Sequence, residues 1–88
     1  MKTVSFKGDG FEDYVFLQEK DRKLLAKVNK LLKDIDRNGN SGLGKPEALK
    51  GDLSGWWSRE IDKKNRLVYR IEGDTIVILQ CMSHYGDT

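Results

Sequence analysis

Between Asp21 and Arg37 the apolar residues Leu24, Leu25, Val28, Leu31, Leu32 and Ile35 fall at steps of one, three, three, one and three. That spacing lines one face of a helix turning every 3.6 residues, and it predicts an amphipathic helix. Asp21 stands just ahead of the stripe, where its carboxylate can accept a free first-turn N–H as a cap. The opposite face carries Lys20, Lys23, Lys27, Lys30, Lys33 and Arg37, a row that can grip phosphates but more simply reads as a solvated face. Upstream, Phe11, Tyr14, Val15 and Gln18 share a helical face, and Asp9 precedes Glu12 by three, as in a capping box. A shorter helix over about 10–19 is predicted there, and residues 2–6 alternate as a short strand does.

The second half is patterned differently. The stretch "RNGNSGLGKP" holds Gly39, Gly42, Gly44 and Pro46 and predicts a loop; its Gly-Lys pair lacks the Ser or Thr and the upstream strand of a phosphate-binding P-loop. After it, "GWWSREI", "RLVYRIE" and "TIVILQCMSHY" are three β-prone runs, joined by "DKKN" and by the hairpin pair Gly73-Asp74. Unbulged hairpins set Arg66 opposite Cys81 and Arg59 opposite Val68. One face then gathers Trp57, Arg59, Arg66, Arg70, Ser83 and Tyr85; the other gathers Leu67, Tyr69, Ile71, Ile76, Ile78 and Met82. The apolar face is the one for helices to cover, which leaves the arginines open to a partner. The expected fold class is α+β, in a single domain over residues 1–88.

Composition narrows the chemistry. The single cysteine, Cys81, and the single histidine, His84, allow neither an internal disulfide nor a zinc-ligand set. Without an apolar run of membrane-spanning length or a signal-peptide pattern, the expectation is a cytoplasmic protein that makes no membrane contact. Sixteen Lys and Arg against fourteen Asp and Glu say little about partners, but residues 45–70 hold seven bases against four acids. Arginines and a tyrosine on one sheet face fit phosphate neutralisation and base stacking, though cross-strand Arg–aromatic pairs also cover ordinary exposed sheets. Glu47, between Lys45 and Lys50, is either a carboxylate able to take a proton from a sugar hydroxyl or a first-turn glutamate after Pro46. His84 is either a proton donor suited to neutral pH or an incidental residue near the terminus. Trp56 and Trp57 are assigned to packing in the core or an interface.

The run "GKPEALKGDLSGWWSREI", followed by "NRLVY" and a late "HY", resembles the YoeB/Txe family of toxins, within the RelE-like ribosome-dependent mRNA interferases. The resemblance covers nearly the whole chain. It implies a RelE-like fold: a short N-terminal strand and two helices packed on one face of a twisted antiparallel β-sheet. It further implies an endoribonuclease that needs neither metal nor cofactor, cuts mRNA in the ribosomal A site, and is neutralised by a cognate antitoxin; such toxins are often homodimers. On this resemblance Glu47 is the general base, Arg66 holds the scissile phosphate, and His84 is the general acid. Lys50, Arg59 and Tyr85 then contact phosphates and orient the RNA. The chain departs from the family pattern at Glu60, Asn65 and Met82, where basic residues or a histidine are usual. Strict alternation also sends His84 to the face away from Arg66, Ser83 and Tyr85, so the strand must bulge or leave the ladder first. Residues 86–88 are expected to be mobile and dispensable. The alternative is a non-catalytic RNA-binding or interaction module on the same fold, including a co-repressor acting with its antitoxin.

Overall fold

The long stripe forms the helix it predicts. In the computed structural model, which describes residues 1–83, strand β1 (Thr3–Phe6) leads to helix α1 (Gly10–Lys20) and helix α2 (Arg22–Asn38). A loop, strand β2 (Glu47–Ala48) and a 3-10 turn (Gly51–Leu53) precede β3 (Trp57–Glu60), β4 (Arg66–Glu72) and β5 (Thr75–Gln80). The sheet order is β1-β5-β4-β3-β2. Strands β2 to β5 are antiparallel neighbours, whereas β1 joins β5 in parallel, so the sheet is mixed rather than wholly antiparallel. Between β1 and β5 the chain passes through both helices and then β2, β3 and β4, which leaves β1 parallel to the last strand with the helices on one face.

That face is where the core lies. Leu17 of α1 and Val28, Leu31, Leu32 and Ile35 of α2 pack with Leu67, Tyr69, Ile76 and Ile78 of the sheet. Ile71 and Met82 lie partly buried against the same cluster, as their assigned face requires. Burying each aliphatic side chain of this kind is worth roughly 1.5–3 kcal/mol, enough to outweigh the weak intrinsic preference of any one element.

Two local devices fix the helices. The Asp21 side chain accepts the Leu24 N–H at 3.0 Å, the cap expected of it. Asp9 makes no such side-chain bond, and its backbone carbonyl accepts the Asp13 N–H instead, so the capping box is not formed. Gly10 is required for a different reason: a Cβ there would lie 2.4 Å from the carbonyl oxygen of Ile78. That close approach lets the buried Asp13 carboxylate accept the Cys81 N–H at 2.9 Å, tying α1 to the end of β5. Burial, with Asp13 adding to it, pushes the Cys81 thiol up to about 12, so this cysteine is inert at neutral pH.

The register of β3 against β4 differs from the expected one. Glu60 pairs with Arg66 and Arg59 with Leu67, because the connection spans residues 61–65 and not only "DKKN". Asp62 accepts the N–H groups of Lys64 and Asn65 at 2.8 and 2.7 Å, while the Ile61 N–H donates to the Asn65 carbonyl and Ile61 turns into the core. One residue of slip reverses a strand's faces. Trp57 and Arg59 therefore lie on the helix side with Tyr69, and Ser58 and Glu60 take the open side. Strand β5 also carries a bulge: Tyr69 pairs with Ile78 and Val68 with Gln80, leaving Leu79 extra.

Candidate functional site

The open face is built outward from Ser58. Strand β2 pairs with β3 so that Glu47 stands opposite Ser58, about 5 Å away between Cα atoms. From the other side, Nε of Arg66 donates to Oγ of Ser58 at 3.0 Å. Ser58 thus joins the candidate base and the candidate phosphate clamp on three adjacent strands. Glu47 is exposed and in a strand, which removes the alternative of a helix first-turn residue. Among the described residues, the two terminal NH2 groups of Arg66 make no hydrogen bond.

The backbone around Arg66 is held as well. Its N–H donates to Oγ of Ser83 at 3.2 Å, and the Ser83 N–H donates to Oδ1 of Asn65 at 3.1 Å. The Asn65 amide also donates to Asp62, whose carboxyl is held below its usual range chiefly by the Lys64 N–H. Asn65, one of the departures from the family pattern, therefore fastens the chain leaving β5 to the strand that carries Arg66. A second departure, Glu60, lies beside Arg66 in the ladder and approaches Lys45 at 3.9 Å.

Farther along the same face, Trp56, Val68 and Val77 form a small apolar cluster with Leu49 and Leu79 against it. The Arg70 guanidinium lies 4.4 Å from the Trp56 ring centroid and pairs with Glu72. The two tryptophans therefore pack as expected, Trp56 on the open side and Trp57 against the main core. Lys50 is exposed three residues after Glu47, where the 3-10 turn begins. His84 and Tyr85, together with residues 86–88, lie outside the described residues.

Arg59 is a correction. Expected on the open face, it is 0% exposed and sits under the sheet, because the 61–65 connection shifts β3 by one residue. Its Nε donates to the Tyr69 hydroxyl at 3.3 Å. One terminal nitrogen pairs with Asp34 and donates to the Leu43 carbonyl at 3.0 Å; the other donates to the carbonyls of Gly39 and Ser41 at 2.6 and 2.8 Å. In return, Arg59 foremost, then the Leu43 N–H, hold the Asp34 carboxyl below its usual range. A side chain bonded in this way has no donor left for RNA.

The site that results is an exposed sheet surface bearing Glu47 among Lys45, Lys50 and Arg66, suited to a polyanion rather than a small enclosed ligand. Among the described residues no group of three His, Cys, Asp or Glu side chains is placed to hold a metal ion, and no helix is long and apolar enough to cross a membrane. Ser58 went unnoticed in the sequence because a lone serine inside a β-prone run gives no signal; its role follows only from the register.

Residues 6–85 match the family described as the YoeB-like toxin of bacterial type II toxin–antitoxin systems. Toxin YoeB of Streptomyces coelicolor is 51% identical over 82 residues, spanning 93% of this chain and 98% of that protein. Toxin YoeB of Escherichia coli K12 is 44% identical over 77 residues, spanning 88% and 92%. Among solved structures, a chain of the heterotetrameric YoeB–YefM toxin–antitoxin complex from Staphylococcus aureus superposes with a TM-score of 0.91 at 45% identity, covering 97% of this chain and 99% of that one. The YoeB dimer from Staphylococcus aureus gives 0.88 at 46% identity, covering 96% and 98%.

Proposed function

Because this chain belongs to the YoeB-like toxins of bacterial type II toxin–antitoxin systems, we propose that it is an endoribonuclease that cuts mRNA on the translating ribosome and so arrests translation. The observation that supports the proposal is the Ser58 junction, in which Ser58 is paired with Glu47 on one side and accepts from Arg66 on the other. Glu47 takes the proton of the ribose 2′-hydroxyl, and the 2′-oxygen attacks the adjacent phosphorus. Arg66 donates its terminal N–H groups to the non-bridging oxygens as negative charge grows there. The bond from phosphorus to the 5′-oxygen breaks, His84 supplies that oxygen with a proton, and a 2′,3′-cyclic phosphate and a 5′-hydroxyl result. Lys50 and Tyr85 hold the neighbouring RNA. The protonic groups and Arg66 account for every step without a metal ion or cofactor.

The staphylococcal YoeB–YefM complex and YoeB dimer support a cognate antitoxin as the physiological partner and a homodimer as a state of the free protein. The site of action is then the cytoplasm, where ribosomes and the antitoxin are found, and residues 1–88 act as one toxin domain. Purified ribosomes programmed with a short mRNA test the proposal. The parent protein cleaves in the A site, whereas Glu47→Gln and His84→Ala each lose about 10²–10⁴-fold in rate. Absence of cleavage by the parent points instead to a non-catalytic RNA-binding or co-repressor module, and equal cleavage by all three proteins overturns the roles given to Glu47 and His84.

A further inference from the structure

The Arg59 clasp lies next to the proposed base in both directions along the chain. Its five N–H donors all meet acceptors: Asp34 of α2, the Tyr69 hydroxyl of β4, and the carbonyls of Gly39, Ser41 and Leu43 in the loop leaving α2. The loop is held at further points. The Leu43 N–H donates to Asp34 at 2.9 Å, the Tyr69 hydroxyl donates to Oδ1 of Asn40 at 3.1 Å, and the Glu60 N–H donates to the Gly44 carbonyl at 2.7 Å. Gly44 fits only as glycine, with φ +79° and a would-be Cβ 3.0 Å from the Glu60 carbonyl. Lys45 then turns the chain through a left-handed conformation at φ +51°, and two residues later stands Glu47. On the other side Arg59 directly follows Ser58, the residue opposite Glu47.

Strand β2 has only two residues, both exposed, and pairs with β3 alone; the Leu49 N–H donates to the Trp56 carbonyl at 2.9 Å and holds its downstream side, so the upstream approach to Glu47 is left to the 39–45 loop. We propose that Arg59, anchored by Asp34, is a positioning residue for Glu47: it fixes the 39–45 loop from which β2 departs and thereby sets the base against Ser58 and Arg66. This rests on Glu47 being the general base, as argued above. An alkyl-ammonium carries its donors on one nitrogen and cannot span acceptors contributed by α2, β4 and three loop carbonyls, so Lys is no substitute.

Single-turnover cleavage on programmed ribosomes, measured across toxin concentration for the parent, Arg59→Lys, Asp34→Asn, Glu47→Gln and the double variants Arg59→Lys/Glu47→Gln and Asp34→Asn/Glu47→Gln, provides the test. With the folded fraction monitored by circular dichroism, Arg59→Lys is expected to lower the saturating rate about tenfold at unchanged half-saturation and unchanged active fraction. In the Glu47→Gln background the same change has no further effect, because there is no base left to misplace. A merely structural role lowers the active fraction and acts equally in both backgrounds, and either that result or a parental rate in Arg59→Lys overturns the proposal. Should Arg59→Lys melt below the assay temperature, Asp34→Asn and its double variant carry the same comparison with the side-chain volume kept. A parental rate in Glu47→Gln overturns the general-base assignment itself, which separates that failure from this one.

Discussion

Arg59 and Arg66 are seven residues apart and lie on adjacent strands, yet the sheet gives them opposite work. Arg59 points to the helices, is wholly buried, and has every donor matched by a fixed acceptor. Arg66 points away, is half-buried, and is held only at Nε, with its terminal groups free of described partners. A guanidinium that is fully bonded stabilises; one that is pinned at its stem and open at its fork has donors of the geometry that the role proposed for Arg66 requires. The difference comes from one residue of hairpin register, since the chemistry of the two side chains is identical.

Removing either arginine breaks the comparison in a different place. Glu47→Gln and Arg66→Ala are expected to lower cleavage by about 10²–10⁴-fold at a cost in stability of no more than about 1 kcal/mol, because Glu47 is exposed and the half-buried Arg66 gives up one hydrogen bond to Ser58. Arg59→Ala is expected to lower the midpoint as well as the rate, because the clasp it removes is buried. It leaves the Asp34 carboxylate and three loop carbonyls without their donor, and breaking a buried pair of this kind costs about 3–5 kcal/mol, measured as a lowered midpoint in urea.

A pH series sharpens the same contrast. Asp34 is held below the usual carboxylate range in the folded protein by the Arg59 hydrogen bond and the Leu43 N–H. The unfolded chain therefore protonates Asp34 at about pH 4 while the folded chain still keeps it ionised. Its contribution is whole above that pH and is lost as the pH falls from there through the folded value. Urea midpoints at pH 7 and pH 3 should drop less for Asp34→Asn than for the parent; equal drops contradict the clasp. The smallest effect is expected at Arg70, on the open face. Its stacking on Trp56 and its partly exposed pair with Glu72 together are worth about 1 kcal/mol, so Arg70→Ala should barely move the midpoint.

Much of this was visible in the order of residues. The Leu24–Ile35 stripe, the Asp21 cap, the span of β4 and the Gly73-Asp74 hairpin appear where periodicity and turn chemistry place them. The family resemblance drew attention to Glu47 and Arg66, and β4 itself carries Arg66 and Arg70 to the open side of Leu67 and Tyr69. Three features were not legible. Strand β2 is too short to carry a period, so Glu47 appeared as a loop or helix residue. The Asp62 turn, with Ile61 drawn into the core, lengthened a connection that composition alone made four residues long and so buried Arg59. The Leu79 bulge broke the alternation of β5, and His84 itself lies outside the described residues. Each is a matter of register or tertiary packing, to which single-sequence patterns are blind.

The central claim is that one sheet turns two like arginines into a strut and a phosphate clamp. Arg66→Ala, assayed for mRNA cleavage on programmed ribosomes and for its urea midpoint in the same preparation, tests it most directly. The expected result is loss of cleavage by at least about 10²-fold with stability within about 1 kcal/mol of the parent. Parental cleavage, or a loss of cleavage matched by a fall of several kcal/mol in stability, would contradict it.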